Sequence, residues 1–439
     1  MMHRTTLPIL AALLLAAIGN VQAQDLVEIY RLALQSDPQL RGAEAQRLAA
    51  LEAKPQSRAL LFPTINANAN ATRNQLDTDE PASAAGTTQF GSSGYTLNLS
   101  QPVYNRDTYV QLRQADARIA QAEAVFAGAE QDLITRTATR YFDVLAAEDN
   151  LEFARAEKKA IARQLEQNQQ RFEVGLVAVT DVQEAQARYD AAIAQEIAAE
   201  RQLESSREAL REITGQEHEG LAPITQQLPL ISPNPTDIEQ WASTAQQQNL
   251  QVLAAQHAAE VAREEIERQR SGHYPSVDIV GTHVFSDSGG GRFGASETLT
   301  DSISLQLTAP IFQGGLVTSR TREAQFRHTQ ARENLDQQQR AVVRQARDSY
   351  FGVIANISQV KALAQAVGSS QTALEATQAG LEVGTRTSVD VLDAQRELFR
   401  NQRDYSRARY DYILETLRLK QSAGTLSPTD LEQINTWLK

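Results

Sequence analysis

A mixed α and β chain built as two copies of one unit is what this sequence predicts, and three observations carry it. Landmarks recur at a nearly constant offset, two proline-free runs are far too long for a globular core, and four segments alternate apolar with polar residues. The stretch EVGLVAVTDVQEAQ at 173–186 returns as EVGTRTSVDVLDAQ at 382–395, with seven of fourteen residues identical. LLFPTINANANAT at 60–72 is answered by GHYPSVDIVGTHV at 272–284, with Pro63 and Pro275 separated by 212. YTLNLSQPVYN at 95–105 is answered by ISLQLTAPIFQ at 303–313, with Pro102 and Pro310 separated by 208. Three ordered landmarks of this kind mark an internal duplication.

The chain opens with Arg4, an apolar run from Leu7 to Ile18 and small residues at Val21 and Ala23, the pattern of a secretory signal at 1–23. The first repeat is then expected over 24–219. It begins with a helix of about 35 residues at 26–60 and continues with alternating segments from Ile65 and from Tyr95. Each segment has about nine or ten residues, the length of a tilted strand that crosses a hydrocarbon layer. A soluble sheet with one wet face has the same pattern. From about Asp107 to Arg171 there is no proline, and Leu112, Ile119, Phe126 and Leu133 recur every seven residues beside Ala115, Ala122 and Ala129. That is a close-packed coiled helix on the order of 100 Å long. It reverses at EVG and returns through a helix at 181–214.

Four prolines mark 220–237 as a linker, because proline disrupts both helix interiors and strand ladders. The second repeat, 238–424, follows the same plan. A helix over 237–271 precedes strands near Val277 and Ile303, a long helix at about 315–380, the EVG turn and a helix at 388–420. The glycine-rich loop at 286–300 lacks the lysine and hydroxyl residue of a phosphate loop and reads as surface.

Composition removes several classes of function. There is no cysteine, hence no disulfide framework, no thiolate metal site and no lipidated N-terminal cysteine. A net charge of −12 argues against a nucleic-acid partner. The six histidines are scattered, neither HExxH nor GxSxG occurs, and the sequence calls for no enzyme, cofactor or metal.

Four strands cannot close a barrel, and open edges are not tolerated in lipid, so a membrane-spanning version of this chain needs several copies. An exported soluble coiled-coil adaptor or spacer is the alternative that periodicity leaves open. The segments LFPTINANAN, PVYN, VGLVAVTDV, GHYPSVDIV, PIFQGGLV, VGTRTSVDVLDA and AGTLSPTDLEQIN resemble the TolC family of outer-membrane efflux proteins, from about Leu26 to Leu438. The resemblance implies a homotrimer with one 12-stranded β-barrel in the cell outer membrane, continuous with an α-helical coiled-coil barrel in the periplasm. It places 425–439 at that barrel's equator. It further implies a passive duct in contact with outer-membrane lipid, opened by a periplasmic adaptor protein and an inner-membrane efflux or ABC-type secretion transporter.

Candidate site residues cluster at the two turns. Gly175 and Gly384 supply backbone freedom where the helices reverse. With Leu176 and Thr385 they form small tips that, in the family reading, dock an adaptor. Asp390 and Asp393 are three apart and share one helical face, although aspartate also favours a helix's first turn. In a trimer they would form an acidic constriction of six carboxylates that attracts cations and raises some of its own pKa values. Arg386 is the only charge in its turn, and the resemblance makes it a gate latch that bonds Thr180 and Asp181. The family's tyrosine in this network is replaced here by Leu381.

Overall fold

The computed structural model describes residues 23–78, 86–218, 220–225, 228–290 and 294–438. Most of the expected signal segment, residue 219 at the end of the first repeat, 226–227 of the linker and 291–293 of the glycine-rich loop lie outside the described residues. The first half runs α1 (Leu26–Ser36), α2 (Pro38–Leu51), α3 (Ala53–Ala59), β1 (Thr64–Thr78), β2 (Gly86–Tyr104), α4 (Arg106–Glu173) and α5 (Val179–Thr214). The second runs α6 (Ile238–Gln248), α7 (Leu250–Arg270), β3 (Ser276–Ser288), β4 (Ser296–Thr308), α8 (Leu316–Glu382) and α9 (Ser388–Ser422), and a short α10 (Pro428–Asn435) follows.

The long helices α4 and α8 have 68 and 67 residues, on the order of 100 Å each. Each pairs with its returning helix over about half its length, α4 with α5 and α8 with α9. The other half is covered by the short segments, α2 and α3 against α4 and α6 and α7 against α8, with α7 also touching α4. Helix α4 is central and is packed from several sides, and its buried residues crowd together between Leu133 and Ala147.

Two expected helices are broken. The stretch 26–60 is interrupted at Asp37, which is buried, accepts from the Leu40 amide at 2.7 Å and from Arg136 Nη2 at 3.1 Å, and precedes Pro38 at the first helical position. It breaks again at Glu52. The stretch 237–271 breaks at Asn249, whose Oδ1 accepts from Gln251 N at 2.9 Å while its Nδ2 donates to Ser422 O at 2.9 Å. Asp37 and Asn249 each serve a helix start and a neighbouring element at once, so these two breaks are fixed by tertiary contact as well as by local preference.

The sheet is antiparallel in the order β1-β2-β3-β4. Its strands have 15, 19, 13 and 13 residues, longer than the expected nine or ten because polar residues continue the ladders towards the loops. One face carries Ile65, Ala67 and Ala69, then Tyr95, Leu97 and Leu99, then Val277 and Ile279, and finally Ile303, Leu305 and Leu307. Among the described residues of the protomer, the outer edges of β1 and β4 have no strand beside them.

The main core lies where α1, α4, α5, α9 and α10 meet, around Ile29, Tyr141, Phe142, Ile413 and Leu431, all fully buried. The linker is held to it through backbone. Tyr141 Oη donates to Ala222 O at 2.8 Å and to Gln24 O at 3.2 Å, and Ile231 N donates to Tyr412 Oη at 2.8 Å. No helix among the described residues is long and apolar enough to cross a membrane.

Candidate functional site

The two helical hairpins reverse in the same way. Gly175 and Gly384 adopt φ of 77° and 76°, a left-handed conformation that other residues rarely take. The amides of Leu176 and Thr385 donate back across the turn to Arg171 O at 2.8 Å and Gly380 O at 2.9 Å. Around them the tips differ. The first exposes Leu176 (74 %) together with Phe172, Val174 and Val179, whereas the second exposes Val383 (75 %) beside Thr385, Arg386 and Thr387.

The helix starts after the turns differ more sharply. In the second copy Thr387 caps α9, accepting from Asp390 N at 3.2 Å, while Asp390 Oδ2 accepts from Thr387 N at 2.8 Å. These bonds, the Thr387 amide first and its hydroxyl next, hold the exposed Asp390 carboxyl below the usual aspartate range, with nearby Arg386 adding to the effect. Within one protomer these local donors favour the charged form of Asp390. In the first copy the N-cap is Ala178, which has no side-chain acceptor. No hydrogen bond or ion pair occupies the Asp181 carboxylate among the described residues, and Thr180 is exposed.

Within one protomer Arg386 forms no hydrogen bond or ion pair with Thr180 or Asp181. Its methylenes lie over Gly380, where an added Cβ would come within 2.7 Å of Arg386 Cγ. The hairpins are joined instead through Asp393 and an arginine that the sequence did not single out. Arg188 of α5 donates to Asp393 of α9 at 2.9 Å and to Glu184 at 3.1 Å, and Asp393 also faces Arg396 at 3.4 Å. Arg188 stands one heptad beyond Asp181, the signal that could have found it. Beside this pair Leu392 of α9 inserts among Ile161, Leu165, Ala185 and Ala192 of the first hairpin.

Behind Asp181, buried Asn168 donates to its carbonyl at 3.3 Å and accepts from Gln164 at 3.1 Å. Leu381 packs with Leu374, Val391 and Leu398, so an apolar contact stands where the family's tyrosine would be. Towards the tips a cleft of about 500 Å3 separates the hairpins, lined by Gln164, Gln170, Arg171, Gln378 and Glu382 among others. The halves thus pack together at Leu392 and are separated by the cleft beyond it.

The sequence profile described as Outer membrane efflux protein matches residues 29–216 and 241–425. The chain is also similar to Outer membrane protein TolC of Vibrio cholerae, at 43% identity over 99% of this chain and 98% of that protein. The chain belongs to the outer membrane efflux protein family. Similarity to the alkaline protease secretion protein AprF of Pseudomonas aeruginosa is 29% over 99% of this chain and 91% of that one. The Campylobacter jejuni CmeC outer membrane channel has the same fold, with a TM-score of 0.78 at 16% identity, covering 94% of this chain and 89% of that chain.

As a member of the outer membrane efflux protein family, the chain is a passive, non-enzymatic outer-membrane channel, gated at its periplasmic end. Three protomers supply a 12-stranded barrel and a coiled-coil tunnel in the periplasm. The apolar sheet face is then the lipid face, and the turns stand at the far, periplasmic end.

Proposed function

We propose that this channel is the exit duct of two kinds of three-part machine, drug efflux and type I protein secretion. A periplasmic adaptor and an inner-membrane efflux or ABC-type transporter open it. The observation that carries the reading is the junction of a lipid-type sheet, open at both edges, with helices on the order of 100 Å long that end in two matched turns. The relation to TolC and to a protease secretion protein supports both branches. Deleting the gene is expected to sensitise cells to drugs and to stop export of a secreted protein. If only one of these changes, the duct serves that branch alone; if neither does, the reading fails.

In this reading 24–219 and 238–424 act as two repeats joined by 220–237, with 425–439 at the tunnel's equator and 1–23 removed on export. Gly175, Leu176, Gly384 and Thr385 form the adaptor-docking turns. Arg386 latches the tunnel by reaching Thr180 and Asp181 of the neighbouring protomer, since within a protomer they are not joined and the Asp181 carboxylate is unoccupied.

Asp390 and Asp393 line the constriction, but unequally, because Arg188 and Arg396 already neutralise Asp393. Asp390→Ala is therefore expected to relieve block by multivalent cations in planar bilayers more than Asp393→Ala does. Since its folded pKa lies below the usual value, Asp390 should keep its charge as pH falls through the ordinary aspartate range. Block should be lost only below that range. Equal effects of the two variants, or block lost at ordinary aspartate pKa, would count against this assignment.

A further inference from the structure

The lipid face of the sheet carries charges that the channel does not require. In the apolar series of β4, Asp301 stands between Leu299 and Ile303, and across the ladder His283 Nδ1 lies 2.6 Å from Asp301 Oδ1. Tyr95 Oη is 3.4 Å from His283 Nε2 on the other side. On β1 the same face carries Arg73, opposite Gly91 and flanked on β2 by Gln89 and Ser93, so nothing acidic faces it across that ladder. No hydrogen bond or ion pair engages Arg73 among the described residues of one protomer. Ionisable groups on a lipid face are costly unless paired, which directs attention to the two open edges on which Asp301 and Arg73 stand.

The duplication supplies the register of the missing ladder. Moving the first hairpin by 212 on its first strand and 208 on its second carries the pair Thr64 and Ser100 onto Ser276 and Thr308, which are paired in the structure. The two hairpins are therefore congruent residue by residue. The β2–β3 ladder joins the second strand of one repeat to the first strand of the next. Under the same shifts it becomes the ladder between β4 of one protomer and β1 of a second copy. Leu97 opposite His283 becomes Leu305 opposite Ala71, and Ser93 opposite Asp287 becomes Asp301 opposite Gln75. Tyr104 opposite Val277 becomes Phe312 opposite Ile65, two side chains that are 88 % and 70 % exposed in the lone protomer.

We propose that protomers join in this register and that Arg73 of the neighbouring copy closes a charged cluster with Asp301 and His283 across the seam. Ile303 falls opposite Arg73 in this ladder, so Arg73 is diagonal to Asp301, within reach of a long side chain. Gln75, whose Oε1 already accepts from Gln89 at 3.1 Å, keeps its amide nitrogen to donate to Asp301. The other charges on this face nearby, Asp77 of the neighbour and Asp287 and Glu297 of the first copy, are all acidic, so Arg73 is the cation this end of the seam needs. The ladder covers exposed apolar residues at its inner end and pairs lone charges at its outer end.

The proposal rests on the trimeric barrel, and the chain's lack of cysteine gives a clean background for its test. In the full-length protein carrying Leu305→Cys and Ala71→Cys, oxidation with copper phenanthroline should link subunits on a non-reducing gel. Leu305→Cys with Ala69→Cys should link far less. Stronger linking in the second pair overturns the register. For the cluster, Arg73→Asp and Asp301→Arg should each lose most of the heat-resistant trimer in detergent, and the double swap should regain most of it. A swap no more stable than the weaker single variant overturns the ion pair. If the unaltered protein itself gives no trimer, the barrel reading fails instead.

Discussion

Channels carrying both Arg188→Ser and Arg386→Ser are expected to conduct several-fold more current in planar bilayers than the parent. The two arginines hold different contacts. Arg188 ties the hairpins of one protomer at 2.9 Å, and Arg386 is the proposed link to the next protomer. Exposed pairs of this kind are worth about 0.2–1 kcal/mol each, so neither alone should hold the tunnel shut. Arg188→Ser alone should change conductance little, because Leu392 stays inserted among Ile161, Leu165 and Ala185. Identical conductance in parent and double variant would mean that the constriction is held by apolar packing, with Leu392→Ala as the variant to record next.

Gly424→Ala should be the most damaging single methyl addition near the core. Gly424 ends α9 with φ of 75°, and a Cβ there would lie 2.3 Å from Gln248 O and 2.9 Å from Asn249 Cα. Left-handed backbone costs a side chain about 1–2 kcal/mol, and displacing the α6–α7 joint adds more, for a total of about 3–5 kcal/mol. Gly384→Ala meets nothing within 4 Å and should cost only the backbone part, about 1–2 kcal/mol. Yield of heat-resistant trimer in outer-membrane extracts, with dissociation temperature, separates the two. Equal losses would show that the contact at Gln248 is readily relieved.

These predictions reflect what a single sequence makes legible. The long helices and both turns could be read because their causes are local: proline is absent, apolar residues recur by sevens, and glycine stands where the backbone turns left-handed. The breaks at Asp37 and Asn249 were harder. Pro38 was a visible signal, but Asp37 is held by Arg136 and Asn249 by the Ser422 carbonyl, partners 99 and 173 residues away. Strand ends went unseen because polar residues that leave the apolar band carry no alternation.

At the tips, sequence spacing left Asp390 as either a helix-start residue or a constriction charge, which look alike in one dimension, and the bonds to Thr387 give it the first role within the protomer. Arg188 and Asp393 are 205 residues apart, and only the packing of one hairpin on the other brings them together.

The two free edges of the sheet also bear on how many copies assemble. A β4 edge that accepts a β1 edge is a head-to-tail joint, and such a joint specifies no number by itself: it closes into a ring or runs on as a ribbon according to the rotation between neighbours. Three is therefore decided by the curvature that each four-stranded piece brings and by the angle at which its helices lean. A substitution that flattened the sheet while leaving every pair intact would change the stoichiometry before it changed the fold.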